Sequence, residues 1–516
     1  MSQHRPLFLA PALSRALLLL IALALLIPLA STAQVVDLLP RISAQPQSAT
    51  IGRGANVRFS VGVVFSSGGP VTYQWYEGNT LLPGKTASTL DRSNVQNGAT
   101  YYVRLRNNYG SRNSNIVSLT VVQGGLAPLG GRPMLLSTVA QQPSVAVCGA
   151  PHVAWINTNS AGVGLLTVSR FDGYVWRQVG GVLNVSTSSS ATEPSLDCFA
   201  GRPAVAWSES AATGRNIHVA AWSGTQWVRL AGSAQRPELN ETAGTTSIKP
   251  VLRVHPQGAG SGGIADHSAV AWIEQWYVRV KYWNGSAWVA YPGGGGPGVG
   301  VAVPEAARDV ALTFVEPTRT EPVVAWIQPL MDGVIGVYTA FNRNGWLRPS
   351  QATYAGVTSS VYRVGVGVEK FEQLKAPVTV WTEGAPNARL YARKLDPAEF
   401  ATPTPFNPNA WTEFAPSYNV GAMTAFAFAP QAFSGPPCGF AGGFPALSVL
   451  SGNSGGFIVK QSVCPNGTPA WMPLHAMHPV ALESGSLAMT DESTPIVAGV
   501  EMAGTQHQLS VWRFYP

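Results

Sequence analysis

A short phrase recurs along this chain, and it restricts the fold more than any other feature. An apolar strand leads into a tryptophan, and a polar residue stands two positions on. An aromatic and a second tryptophan then follow, five positions apart. The first half reads Pro203-Ala-Val-Ala-Trp207-Ser-Glu209, Ala269-Val-Ala-Trp272-Ile-Glu274, Pro322-Val-Val-Ala-Trp326-Ile-Gln328 and Pro377-Val-Thr-Val-Trp381-Thr-Glu383. The second half reads Trp222-Ser-Gly-Thr-Gln-Trp227, Trp283-Asn-Gly-Ser-Ala-Trp288 and Phe341-Asn-Arg-Asn-Gly-Trp346. A repeat of about 50 to 68 residues marks a solenoid or a propeller. Counted by its leading tryptophan, the phrase occurs at Trp155, Trp207, Trp272, Trp326 and Trp381. Val449 and Gly499 hold the same place in two degenerate copies, which makes seven.

Each copy has room for four short strands. The second shows them as Pro194-Ser-Leu196, Ala204 to Trp207, Ile217 to Trp222 and Trp227-Val-Arg-Leu230. Ser223-Gly224 and Asn284-Gly285 supply hairpin turns. Four antiparallel strands repeated radially form a propeller blade. Residues 132–516 are therefore read as a seven-bladed β-propeller, and the chain as all-β. The paired tryptophans are expected to pack between neighbouring blades. The last copy stops at Phe514-Tyr-Pro516 without a fourth strand. A segment near Pro133-Met-Leu-Leu-Ser137 is expected to supply it and so close the ring. A helical solenoid is disfavoured, because the strands are β-branched and aromatic and hold no 3.6-residue period.

The first 33 residues read as a signal peptide. Arg5 and Arg15 form the basic end, Ala16 to Ile27 the apolar run, and Ser31-Thr-Ala33 the cleavage site before Gln34. The run is short of the roughly 20 residues that span a bilayer. No Cys follows the site, which argues against a lipoprotein, and no other segment could cross a membrane. The mature chain is expected in the periplasm or outside the cell. Only 11% of residues are charged, and the net charge of +7 comes from singly scattered Lys and Arg. No basic run suggests nucleic acid or a membrane surface. There are 4 Cys, and export permits disulfides. Cys148 and Cys198 stand at matching places in two successive copies, and Cys438 and Cys464 within one later copy. The pairs Cys148–Cys198 and Cys438–Cys464 are favoured among the three pairings possible.

Residues 34–122 look self-contained. Short alternating strands (Val57 to Val61, Val71 to Tyr76, Tyr101 to Leu105, Val117 to Val121) are separated by turns. Gln45-Pro46, Gly54, Tyr73-Gln-Trp75-Tyr, Leu82-Pro-Gly84, Asn97-Gly-Ala-Thr-Tyr101 and Asn107-Asn-Tyr-Gly110 resemble the bacterial immunoglobulin-like domains of exported proteins. That resemblance implies a β-sandwich with Trp75 as the core tryptophan and Tyr101 as a corner tyrosine tied to backbone. The segment has no Cys, so its core holds by packing alone. Gln123 to Gly131 reads as a linker by composition.

The sharpest candidate for chemistry is the polar position two after each leading tryptophan. It holds Asn157, Glu209, Glu274, Gln328, Glu383, Ser451 and Glu501. In a propeller these would lie at corresponding places on one face. A ring of carboxylates and amides could bind sugar hydroxyls or a cation. Alternatively, each accepts hydrogen bonds from its own loop. Sequence gives no distance between carboxylates, so a glycosidase pair, which needs about 5–10 Å, cannot be argued. The repeats loosely resemble sialidase-like propellers and propeller lectins. The sialidase mark Ser-x-Asp-x-Gly-x-Thr-Trp is absent from the sequence.

Three motif matches fail on context. Gly452-Asn-Ser454-Gly-Gly456 fits a nucleophile elbow but lacks the strand–turn–helix it needs. Gly293 to Gly298 fits a dinucleotide fingerprint with no helix to follow. His475-Ala-Met-His478 has a metal-like spacing without a helix or a third ligand. Asn184, Asn240, Asn284 and Asn466 each begin Asn-x-Ser/Thr and are read as turn residues. The expectation is a non-catalytic binding protein with no cofactor and no metal. A glycan or polysaccharide is the leading partner class. An envelope or extracellular protein is the alternative, and a polysaccharide hydrolase or lyase is third. Fold alone does not choose between them.

Overall fold

The computed structural model describes residues 37–64, 69–137, 140–233, 236–255, 260–261, 264–292, 307–315, 321–329, 335–348, 354–357, 361–369, 376–384, 388–401, 407, 409–421, 425–430, 447–453, 456–463, 470–490, 494–503 and 506–516. The leader at 1–33, Cys438, Cys464, Asn466 and the Gly293–Gly298 run lie outside the described residues.

The chain is all-β. Its helical pieces among the described residues are a 3-10 turn at Leu129–Gly131 and an α-helix at Pro397–Ala401. The N-terminal part forms a sheet in the order Ala49–Gly52, Val117–Val122, Ala99–Asn107, Thr72–Glu77 and Thr80–Leu81, with Gly110–Asn113 also paired to Ala99–Asn107. Two ladders accompany it, Arg41–Ala44 with Gly62–Val64 and Val57–Ser60 with Thr89–Arg92. Along Ala99–Asn107 the buried residues are Tyr101, Val103, Leu105 and Asn107, the two-residue period of a strand with one wet face. Trp75, Phe59 and Tyr101 fill the space between the sheets. The Trp75 indole donates to Ala87 O at 2.9 Å. Burial pushes the Tyr101 phenol up. The Arg92 guanidinium stands 5.7 Å from its ring centre.

Among the described residues seven larger antiparallel sheets follow, each built as a meander, and Gly260–Ser261 pairs with Ile264–Ala265 in a small ladder. Sheet 1 spans 140–178, sheet 2 191–229, sheet 3 247–290, sheet 4 309–347, sheet 5 361–421 and sheet 6 425–473. Tyr354–Val357 adds to sheet 4. Sheet 7 takes Ser484–Met489, Pro495–Ala503 and Gln506–Tyr515 from the end of the chain. Two early pieces complete it. Leu135–Ser137 pairs with His507 to Leu509, and Gly125–Pro128 pairs with Trp512 to Tyr515. The first strands of successive sheets lie side by side, and that of sheet 7 returns beside that of sheet 1. This is the arrangement of a β-propeller.

Two expectations need correcting. Residues 123–131, read as a linker, contain a paired strand whose Leu126 and Ala127 are buried. Four residues are too few for periodicity to outweigh a Gly/Pro-rich composition. The strands also do not end at their tryptophans. The second strand of sheet 2 runs Arg202–Ser210, three residues past Trp207. This places the polar residue inside the strand.

The tryptophans pack between sheets. Trp207 lies among Ile156, Leu166 and Val168 of sheet 1, and Trp272 among Ala206, Ile217 and Val219 of sheet 2. Trp326 meets Ala271 and Val280, Trp381 meets Val323 and Val337, and Trp155 meets Val500 and Val511 of sheet 7. Each inter-sheet layer is thus one hydrophobic core.

His218 sits in one such layer, with its ring centroid 5.6 Å from that of Trp207. Burial pulls its pKa down to about 4 from the ordinary 6.5, with Glu209 partly opposing. The folded protein therefore resists a proton that the unfolded chain accepts. This contribution is fully present above pH 6.5 and is lost as pH falls through 6.5 toward 4. It amounts to a few kcal/mol. Urea unfolding as a function of pH should show this loss. A His218→Phe variant should flatten the pH dependence in that window.

Candidate functional site

The ring of polar positions is built into the strands. Residues i and i+2 of a strand share a face, so in the five copies that have a tryptophan the polar side chain lies on the face of its tryptophan. The indole has one polar atom, an N–H that needs an acceptor when buried. Glu209, 2% exposed, accepts the Trp207 indole N–H at 2.8 Å on Oε2. The same oxygen accepts Val185 N–H at 2.9 Å, and Oε1 accepts Ser186 N–H at 2.9 Å. Glu274, 1% exposed, repeats this with Trp272 at 3.0 Å, Glu241 N–H at 2.8 Å and Thr242 N–H at 2.8 Å. It adds the Thr245 hydroxyl at 2.9 Å. Gln328 accepts the Trp326 indole at 3.1 Å. Glu383 and Ser451 are buried at the same position, and Asn157 is half-buried. Glu501 accepts from Gln508 at 3.0 Å and Ser510 at 2.9 Å, and burial pushes its carboxyl up.

For Glu209 and Glu274 the structure favours the alternative, acceptance of hydrogen bonds from a loop, over a carboxylate turned to a ligand. The oxygens of Glu209 and Glu274 are spent on a strand tryptophan and on the loop that crosses from one sheet to the next. Asn184 and Asn240, each one residue before that loop's two donors, are buried parts of the same device. Asn184 Oδ1 accepts Leu166 N–H at 2.8 Å, and Asn240 Oδ1 accepts Ile217 N–H at 2.9 Å. Of the dismissed motifs, the Gly452–Gly456 segment connects two antiparallel strands, Leu447–Asn453 and Gly456–Val463. His475 Nε2 accepts Val459 N–H at 3.2 Å.

A different place gathers the chemistry. The first strands begin around a cavity of about 360 Å³, which holds Glu193, Lys249, Arg253, Asp309, Arg363 and Phe426 among its lining. Three strands enter it in one unusual way. Gln142, Glu193 and Lys249 have φ of 50°, 55° and 52°. Each precedes a proline, where a left-handed residue is strained. Each sits at a bulge in the ladder, and bulges re-aim side chains. Here they aim them at the next strand. Gln142 Oε1 accepts Glu193 N–H at 2.6 Å, and Glu193 Oε2 accepts Lys249 N–H at 2.8 Å. Lys249 Nζ reaches Asp309 Oδ1 at 2.8 Å and Arg308 O at 2.6 Å. Asp309 Oδ2 accepts Val364 N–H at 3.1 Å, and Arg363 stands 3.7 Å from Oδ1. Side chains thereby link first strands that have no main-chain ladder between them. Nearer the other end of the strands, burial pushes the Asp197 carboxyl up, opposed by Arg253 and by the N–H groups of Val254 and Cys198.

At the end of sheet 3 where its first strand begins, with Ser247 paired to Glu274, stands an aromatic pair that sequence reasoning missed. The hairpin Glu274-Gln275-Trp276-Tyr277 turns in two residues, with φ of 48° at Gln275 and 76° at Trp276. Such turns favour Asn-Gly, because both residues are left-handed. Trp276 is 64% exposed and Tyr277 42%. The Arg279 guanidinium lies 5.5 Å from the Tyr277 ring centre. The turn is anchored: Trp276 O accepts Ala307 N–H at 3.0 Å, two residues before Asp309. An aromatic surface thus stands fixed at the end of sheet 3 where its first strand begins.

No known family model and no curated protein matches the chain. Among solved structures it is similar to the leech intramolecular trans-sialidase, at 8% identity and a TM-score of 0.38, over 92% of this chain and 93% of that one. It is likewise similar to the Trypanosoma rangeli sialidase, at 9% identity and a TM-score of 0.38, over 74% of this chain and 55% of that one. A match to the twitchin kinase region of C. elegans, at 26% identity and a TM-score of 0.15, covers 16% of this chain and 16% of that one.

Proposed function

We propose that the chain is an exported, non-catalytic binding protein that takes carbohydrate on the face where the first strands begin. In this reading the N-terminal sheets are an immunoglobulin-like sandwich and the seven ringed sheets are the blades of one propeller. The observation that carries the binding reading is Trp276. A bulky side chain in a left-handed turn costs about 1–2 kcal/mol, and this one recovers little of it by packing. Strain of this kind accumulates where function requires it. An exposed indole and phenol beside hydrogen-bonding groups offer a sugar both a flat apolar surface and polar contacts. The cavity carboxylates are engaged by neighbouring strands, which favours binding over hydrolysis. The Cys148–Cys198 disulfide fits an oxidising compartment. Among the described residues no helix is long and apolar enough to cross a membrane.

The test is a glycan and polysaccharide array probed with the wild-type chain and with Trp276→Ala and Trp276→Gly. Both variants should lose at least about tenfold in affinity, equivalent to about 1.4 kcal/mol. Trp276→Gly should at the same time raise stability by about 1 kcal/mol, because glycine relieves the turn. Binding untouched by either change would remove Trp276 from the site. An array without any specific binding would end the carbohydrate reading and leave a protein partner.

A further inference from the structure

A second cavity, of about 620 Å³, lies between the N-terminal sheets and the ring. Interfaces between such units are common ligand sites. Arg53 lines it from the N-terminal side, and Arg170, Asp172 and Arg513 line it from the ring. The three guanidinium groups come from a turn, from the third strand of sheet 1 and from the last strand of the chain. Arg53 is oriented by two neutral acceptors, Gln96 Oε1 at 3.0 Å and Gln123 Oε1 at 3.1 Å, so its charge is positioned without being cancelled. Arg170 is exposed and makes no ion pair among the described residues. Its neighbours across the sheet are His152 and Arg177, neither of them an acid. Among the described lining residues the one acidic side chain, Asp172, is occupied: Oδ1 accepts Tyr174 N–H at 2.9 Å and Val175 N–H at 2.8 Å, and Oδ2 pairs with Arg177, so the three guanidinium groups stand against the terminal carboxylate of Pro516.

The walls of this cleft are held in place. Tyr515 lies flat on Gly52, where a Cβ would meet the ring at 2.0 Å. Arg132 donates to Arg58 O at 3.1 Å, and Ser93 bonds Tyr174 at 2.6 Å. Like charges kept around one concavity focus a positive potential and attract an anion. Arginine forks match planar and tetrahedral oxyanions with paired hydrogen bonds. We propose that this cleft binds an oxyanion group, a carboxylate, sulfate or phosphate carried by a ligand, through Arg53 and Arg170 with Arg513 beside them. The proposal does not rest on the aromatic site.

Isothermal titration of the intact protein with inorganic sulfate, inorganic phosphate and trigalacturonate tests it and distinguishes the three sources. Saturable binding of at least one is expected, weakening with added NaCl. The double variant Arg53→Ala/Arg170→Ala should weaken it at least tenfold, with an unchanged unfolding midpoint because both side chains are exposed. Trp276→Ala should leave it unchanged. Absence of saturable binding by all three probes, equal binding in the double variant, or loss on Trp276→Ala would each overturn the assignment.

Discussion

Glu274→Ala is expected to lower the free energy of unfolding by about 3–5 kcal/mol. The carboxylate is buried and receives four donors: two successive loop N–H groups, the Trp272 indole and the Thr245 hydroxyl. Burial alone would raise its pKa, but the donors from Glu241, Thr242, Trp272 and Thr245 outweigh burial and hold it below the usual carboxylate range. Removing the side chain strands the Trp272 indole and the Thr245 hydroxyl in a buried layer and leaves the part-buried N–H groups of Glu241 and Thr242 without their acceptor. Each unsatisfied buried group costs about 1–3 kcal/mol, reduced where water reaches it. Glu274→Gln keeps the shape but turns an acceptor into a donor facing donors, so its loss should be roughly half as large. Denaturant unfolding of the three proteins, followed by tryptophan fluorescence, measures the difference. A loss below about 1 kcal/mol for Glu274→Ala would show that the carboxylate is dispensable. Glu209, with three donors in the same geometry, should behave alike.

That side chain also shows what a sequence does and does not disclose. The phrase around each tryptophan repeats because five of the layers use the same large filler, so the repeat and its strands are visible from spacing alone. The role of the polar residue was open to inference too. A two-residue offset on a strand puts it beside the indole, and a buried indole needs an acceptor. Polarity alone left two readings open, an exposed ring or an acceptor for a loop. Asn184 and Asn240 carried a second clue, since both stand just before the loop that the carboxylate binds. The cavity was less visible, because Gln142-Pro143, Glu193-Pro194 and Lys249-Pro250 share a proline and a bulge but no common side-chain chemistry. Trp276 left a signal only by omission, a two-residue hairpin lacking the glycine or asparagine its turn prefers. The cleft arginines are 117 and 343 residues apart in succession along the chain, and they meet through the return of the last strand to Gly125–Pro128 and the contacts of Arg132 with Arg58 and of Ser93 with Tyr174.

Loss of the Cys148–Cys198 bond is expected to cost about 4 kcal/mol, the chain-entropy value for a closed loop of this length. The two Cys are 50 residues apart in sequence, with Cα atoms 5.3 Å apart. They join the ends of the first strands of sheets 1 and 2, whose other contacts include Ser144 Oγ accepting Leu196 N–H at 2.9 Å and Gln142 accepting Glu193 N–H. First strands in this ring are linked by single side chains, so a covalent bond there mainly restricts the unfolded chain. A Cys148→Ser/Cys198→Ser variant, unfolded in denaturant under oxidising conditions, reads the loss directly. A change below about 1 kcal/mol would mean that the unfolded state is already compact around this pair. Adding reductant to the same variant extends the measurement to the remaining pair. A further drop in stability is the expected outcome if Cys438 and Cys464 are bonded, and an unchanged midpoint would remove that pairing as a stabilising link.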